Sequence, residues 1–133
     1  ADRNGNDADP GAARPKRSAT GHPRAVVFGG ETTVALGASV GRGGRNLDLA
    51  ARLALAIAGR DGVGAVVAGT DGVDGSSRAA GAVVDGGTAS RAEAAGLSLA
   101  RAIERFDTEP ALDAAAAFHV GWSDVFNRAW RRR

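Results

Sequence analysis

Two carboxylates and a hydroxyl stand close together on the run Ala68-Gly69-Thr70-Asp71-Gly72-Val73-Asp74-Gly75. The apolar stretch Ala65-Val66-Val67-Ala68 leads into it, and a short apolar run ended by glycine reads as a buried strand. In an open α/β sheet, ligands bind just beyond the C-terminal ends of the strands. Asp71 and Asp74 would sit there, able to hold a metal ion or a phosphorylated substrate. A solvated turn accounts for the same residues, because Gly and Asp are ordinary turn formers.

Two more glycine-rich runs carry polar groups. In Gly41-Arg42-Gly43-Gly44-Arg45-Asn46, the glycines would let a ligand approach the backbone, and a following helix N-terminus would offer N–H groups. Arg45 could grip an anion through two bonds; a plain connection with a solvated Arg is the alternative. The loop is not the lysine-bearing phosphate loop, since the only lysine is Lys16, and it fails the dinucleotide pattern. Gly29-Gly30-Glu31-Thr32-Thr33 joins two candidate strands, either as a tight turn or with Glu31 and the threonines at the same edge. If the three runs converge, three acids (Glu31, Asp71, Asp74), a base (Arg45) and backbone donors suit a phosphorylated or carboxylated ligand with a divalent metal.

Other chemistries fit less well. His22 and His119 are far apart and lack partner ligands. Ser76-Ser77 lacks the nucleophile elbow of hydrolases. Asp71 and Asp74 do not have calcium-loop spacing. With no cysteine there is no disulfide, thiolate metal site or cysteine nucleophile.

The elements that must position these residues follow from periodicity. Residues 1–23 contain almost nothing large and apolar, and read as a disordered lead-in or linker. Ala25 to Phe28 and Thr32 to Leu36 are strand candidates. Asn46 is a candidate N-cap for a helix whose stripe is Leu49, Leu53 and Ile57, closed by Gly59. A strand from about Val63 to Ala68 follows. Arg78 to Val84 reads as a helical turn running into an extended piece. Thr88 and Ser98 would cap helices ending at Ala95 and about Phe106, and Thr108-Glu109-Pro110 breaks the pattern. Phe118, Trp122, Phe126 and Trp130, four apart, predict a C-terminal helix with an aromatic stripe and the basic end Arg131-Arg132-Arg133.

The 133 residues suit one domain. Thirty alanines and 20 glycines predict a thin core, and hence a domain that leans on another. A net charge of +2 gives no strong pull towards nucleic acid or membrane, and three terminal arginines make no wide basic face. No apolar run approaches the ~20 residues of a membrane span. The start lacks both an initiator Met and a signal-peptide core. A cytoplasmic protein, and a piece of a longer one, fit these features.

The three glycine runs, together with Ala79-Ala80-Gly81-Ala82-Val83-Val84-Asp85-Gly86, stand in an order and spacing that resemble the MOFRL domain. That is the C-terminal domain of class II glycerate kinases (glycerate 2-kinases), some of which carry the label hydroxypyruvate reductase. The likeness covers roughly residues 24 to 105. It implies an α/β domain facing a larger N-terminal kinase domain, with ATP, Mg²⁺ and D-glycerate or a similar hydroxy acid in the cleft between them. By that resemblance Asp71, Asp74 and Arg45 are the catalytic residues. Asp71 and Asp74 would hold the metal, while Gly29, Gly30, Glu31, Thr32, Gly43, Gly44, Arg45, Asn46 and Thr70 would bind substrate or phosphate.

The chain departs from the family pattern at Arg78, where an acid is usual, and at Asp48, where Glu is usual. It also lacks the Thr-Gly-Pro-Thr-Gly-Thr-Asn loop. The expectation is an α/β fold in a single domain, with a small, mainly parallel or mixed sheet flanked by helices over residues 24–107. A divergent C-terminal helix over 108–133 would follow. Such a chain would be inactive without its large domain. The rival reading is a non-catalytic ligand-binding or interaction module using the aromatic tail; a reductase is the weaker rival, for want of a dinucleotide fingerprint.

Overall fold

The computed structural model describes residue 21, residues 23–34 and residues 41–120. The chain separates into two units, residues 1–30 and residues 31–133. In the first, residues 23–30 are exposed and have no regular secondary structure, with Val27 and Phe28 open to solvent. The strand expected over Ala25 to Phe28 does not form: the run is exposed and irregular, and an apolar stretch becomes a strand only where a ladder holds it. In the second unit, residues 32–34 are likewise irregular, while Ala35 and Leu36 lie outside the described residues.

The second unit runs α1 (Arg45–Ala56), β1 (Gly64–Ala68), β2 (Gly81–Asp85), α2 (Thr88–Ala94), α3 (Leu99–Glu104), α4 (Thr108–Ala114) and β3 (Phe118–Val120). Leu47, Ala50, Ala51 and Ala54 form the fully buried line of α1, at the i, i+3, i+4, i+7 spacing of one helix face. The expected stripe of Leu49, Leu53 and Ile57 is only half-buried and flanks that line. Alanine wins the central positions because a methyl lets the helix lie close to the sheet.

The three strands lie in the order β1-β2-β3 and both pairings are antiparallel. This corrects the expectation of a mainly parallel or mixed sheet. Parallel neighbours need a crossover, usually a helix, whereas the 69–80 connection between β1 and β2 contains none and brings the chain straight back. The register sets Val66 opposite Val83, with Ala65 opposite Val84 and Val67 opposite Ala82. Ala65, Val67, Ala82 and Val84 join the core with α1, while Val66 is 68% exposed on the other face. Among the described residues the helices cover one face of the sheet. The close pairing needs Gly81, since a Cβ there would strike the Val67 carbonyl.

Ser98 caps α3 as expected, its side chain accepting from the Arg101 N–H. Thr108-Glu109-Pro110 does not break the chain: it opens α4, because the first helical turn has no intrahelical N–H bonds for a proline to remove. Ala111, Leu112, Ala115 and Ala117 carry the same core past residue 107. The aromatic-striped helix expected from Phe118 is not formed at its start, since Phe118–Val120 take the free edge of β2 as strand β3. Trp122, Phe126, Trp130 and the terminal arginines lie outside the described residues.

Leu112 is fully buried and among the largest side chains of an alanine-rich core, so Leu112→Ala leaves a cavity there. A loss of about 2–5 kcal/mol is expected in urea unfolding.

Candidate functional site at the start of helix α1

The run 41–44 and the connection 69–80 are interlocked backbone against backbone. The Ser76 hydroxyl accepts from the Gly43 N–H at 3.2 Å and donates towards the carbonyls of Gly43 at 3.1 Å and Gly41 at 3.3 Å. The Ser76 N–H donates to the Gly43 carbonyl at 2.9 Å. A Cβ at Gly44 would fall on Asp74, and one at Gly75, which has φ +58, would fall on the Gly43 carbonyl and the Gly44 α-carbon. These glycines therefore permit two chains to touch. The donors expected to cradle a phosphate are largely spent inside the protein: Gly41 N–H reaches the Arg105 carbonyl, Arg42 N–H the Asp107 carboxylate, and Gly43 N–H Ser76.

Asp74 is 2% exposed and sits over the N-terminus of α1. Its Oδ1 accepts from the Asn46 N–H at 3.1 Å and its Oδ2 from the Leu47 N–H at 2.7 Å. The Gly44 N-cap has no side chain to offer, so a carboxylate from a distant loop does the capping, favoured by the positive end of the helix dipole. Two sequence expectations change here. Asn46 lies within the first turn and is not the cap. Asp74 is not an open carboxylate beside Asp71, because both its oxygens face inwards onto α1.

Asp71 and Thr70 are exposed in the turn after β1. A Cβ on Gly69 would lie 2.7 Å from both Asn46 Nδ2 and Asp71 Oδ1, so the carboxamide and the carboxylate both crowd this glycine. The Asn46 amide donates to the Ala80 carbonyl at 3.3 Å, which fixes its orientation. Arg45, the first residue of α1, pairs with Glu31 at 3.0 Å, both largely exposed. Sequence runs far apart thus supply Glu31, Arg45, Asn46 and Asp71 to the region where α1 begins. Thr32 is exposed and irregular, and Gly29 and Gly30 belong to the first unit, in open surroundings. Among the described residues no three His, Cys, Asp or Glu side chains gather as a metal site. A depression of about 270 Å³ is lined by Thr33, Val34, Asp48, Arg52, Ile103 and Phe106, of which only Thr33 belongs to the three glycine-rich runs.

Glu109 was read only as part of a helix-breaking triplet, yet its carboxylate is fully buried behind these loops. Arg42 approaches Oε2 at 2.8 Å as an ion pair, off the line of a directed hydrogen bond, and Arg78 Nε donates to Oε1 at 3.3 Å. The Arg78 N–H donates to Oε1 at 3.2 Å as well. Burial pushes the Glu109 pKa up, but the Arg78 N–H, the Arg78 guanidinium and Arg42 outweigh it and hold the group below its ordinary value. Arg78, a departure from the family pattern, thus has a buried acid as its partner. No local spacing links residues 42, 78 and 109, so periodicity could not have paired them.

Residues 24–124 match the model of the MOFRL family, and the chain belongs to that family. It is 43% identical over 98 residues to the D-glycerate 2-kinase of Thermotoga maritima, covering 74% of this chain and 23% of the relative. A glycerate 2-kinase of Pyrococcus horikoshii is 34% identical over 90 residues, or 68% of this chain and 20% of the relative. The crystal structure of Thermotoga maritima glycerate kinase superposes with a TM-score of 0.65 at 41% identity, over 70% of this chain and 22% of that one. The chain therefore spans less than a quarter of the length of these relatives. No helix among the described residues is long and apolar enough to cross a membrane.

Two outcomes are expected. Asp74→Asn puts an NH₂ group against an α1 amide, which should cost about 1–3 kcal/mol in chemical unfolding and speed hydrogen exchange at Asn46 and Leu47. Glu109, with a folded pKa below its unfolded one, stabilises the fold above the ordinary carboxylate pKa, and that stability drains away as pH falls through the folded value. Asp85, lowered chiefly by its hydrogen bond from Arg91 and then by the Gly87 N–H, adds the same sign. The thermal midpoint should drop on acidification below the usual carboxylate range, and Glu109→Gln should flatten that drop.

Proposed function

We propose that this chain is the catalytic-face portion of a D-glycerate 2-kinase, contributing to transfer of the γ-phosphoryl group of ATP to the 2-hydroxyl of D-glycerate or a similar hydroxy acid. The observation that carries this reading is that Asn46, next to Arg45 at the head of α1, and Asp71, from the turn after β1, both crowd Gly69. Family membership and the kinase names of the relatives support it.

Phosphoryl transfer needs little covalent chemistry from a protein; it needs positioning and neutralisation of charge. Arg45 is the group for the glycerate carboxylate or a phosphate. Its present partner, Glu31, forms an exposed ion pair of small worth that an incoming oxyanion can displace. Asp71 accepts a hydrogen bond from the substrate hydroxyl and turns its oxygen towards the phosphoryl group, and the Asn46 amide, held by the Ala80 carbonyl, lies beside it as a donor for the ligand. Thr70 stands beside Asp71 as a further hydroxyl for the ligand. Asp74 acts by fixing the head of α1.

Magnesium, where bound, supplies neutralisation of the phosphate charges. The donor set here fits a part share in holding it: Asp71 is one exposed carboxylate, and Mg²⁺ is usually held by one or two carboxylates besides phosphate oxygens and water. The buried Asp74 does not fit that role in the present arrangement. The remaining contacts to nucleotide and metal belong to an N-terminal kinase domain, without which the chain does not turn over.

The purified chain given ATP, Mg²⁺ and D-glycerate should show no turnover. Residues 24–124, grafted in place of the matching segment of the Thermotoga maritima D-glycerate 2-kinase, should restore a working kinase. In that graft Arg45→Ala and Asp71→Ala should each lower kcat/KM by about 10²-fold or more. Full activity in both variants, or kinase-level turnover by the chain alone, would overturn the reading.

A further inference from the structure

We propose that Glu109 is a positioning residue for the two loops that carry Arg45 and Asp71, acting through Arg42 and Arg78. The loop geometry stands by itself; the word positioning rests on the functional reading above.

One side chain reaches both loops. Arg42 lies three residues before Arg45, and Arg78 lies seven after Asp71. Their guanidinium groups take opposite oxygens of the same carboxylate, at 2.8 and 3.3 Å. The backbone joins in on each side: the Glu109 N–H donates to the Arg42 carbonyl at 3.0 Å, and the Arg78 N–H donates to Oε1 at 3.2 Å. No other described side chain is shown to bind both arginines.

The choice of a carboxylate points to placement over cohesion. Burying an ionised carboxylate costs several kcal/mol before its partners repay it, and a well-packed apolar group of similar size often stabilises as well or better. Ionic groups kept inside in spite of that cost are best attested as setters of register. Both arginines are more than half exposed, so neither is held by packing of its own, and the buried acid is what orders them. Asp113 lies at 3.9 Å from Arg78 and the Asp107 carboxylate takes the Arg42 N–H, so further acids border the cluster and steady the arginines. The Ser76 clasp fixes the loops where they cross. Glu109 holds them from behind, at a second point, and two points define an orientation where one defines only a contact.

Glu109→Gln, near in shape but uncharged, tests this by amide hydrogen exchange on the intact chain. Exchange at Gly43, Asn46, Leu47 and Ser76 should speed by about tenfold or more, while Gly59 and Asp85, bonded at the far end of the sheet, should change less than about twofold. Uniform acceleration would make Glu109 a general stabiliser, and no acceleration would make it dispensable; either result overturns the proposal. Should Glu109→Gln fail to fold, Arg42→Gln and Arg78→Gln provide the same test. The first should loosen Gly43 more than Ser76 and the second Ser76 more than Gly43, and equal effects on both loops overturn it. In the grafted kinase, Glu109→Gln should lower kcat about tenfold or more with the KM for ATP little changed, and Glu109→Asp should recover part of the loss. A graft that is inactive with Glu109 in place refutes the kinase reading and leaves the exchange result standing.

Discussion

The carboxylate of Asp74 on the first turn of α1 is the contact from which the rest of this structure is hung. It joins the connection after β1 to the helix before β1, so elements that sandwich a strand in sequence are fixed to each other directly. It also does what no local residue can, since the helix begins with glycine. The glycines at 44 and 75 are required by this contact, because the carboxylate can reach the helix only if the two backbones nearly touch. A carboxylate used in this way is not idle for function. It holds the first turn, and with it Arg45 and Asn46, at a set distance from the turn that bears Asp71.

Seen from that contact, the three glycine-rich runs divide their work. Residues 41–44 and 74–76 form the mount. Arg45, Asn46 and Asp71 stand on it with chemistry to offer. The usual expectation that a glycine-rich loop before a helix wraps a phosphate with its own N–H groups is met here by a loop whose N–H groups at 41, 42 and 43 are already bonded within the protein. What the mount leaves to a ligand is side-chain chemistry.

Much of this was legible in the sequence, and the parts that were not have definite physical reasons. Helix α1, strand β1 and the Ser98 cap follow from short-range periodicity and capping, which are written within a few residues of each other. The nearness of Asp71 and Asn46 around Gly69 was approached through the order of four motifs. The sheet direction was missed because it depends on whether residues 69–80 contain a helix, and a run of Gly, Ser and Ala does not say so. The inward turn of Asp74 was missed because Asp71 and Asp74 look alike as letters; only a helix end waiting above one of them separates the two. Pro110 misled because its meaning depends on being in the first turn of a helix, where it does no harm, rather than further along. Arg42, Arg78 and Glu109 come from three separate stretches, and no pattern in any one of them announces the other two.

The alanines of α1 carry one further consequence. Ala50, Ala51 and Ala54 have no exposed surface, so at these three positions α1 brings nothing longer than a methyl to the core it shares with the sheet. A close-packed interior passes on displacement and does not absorb it. The helix is thus a short rigid rod laid on this alanine seat, with Arg45 at the end that Asp74 pins. The core of this domain, meagre as it is in bulk, acts as a length standard: the thickness of a methyl group decides how high the reactive end of the rod stands.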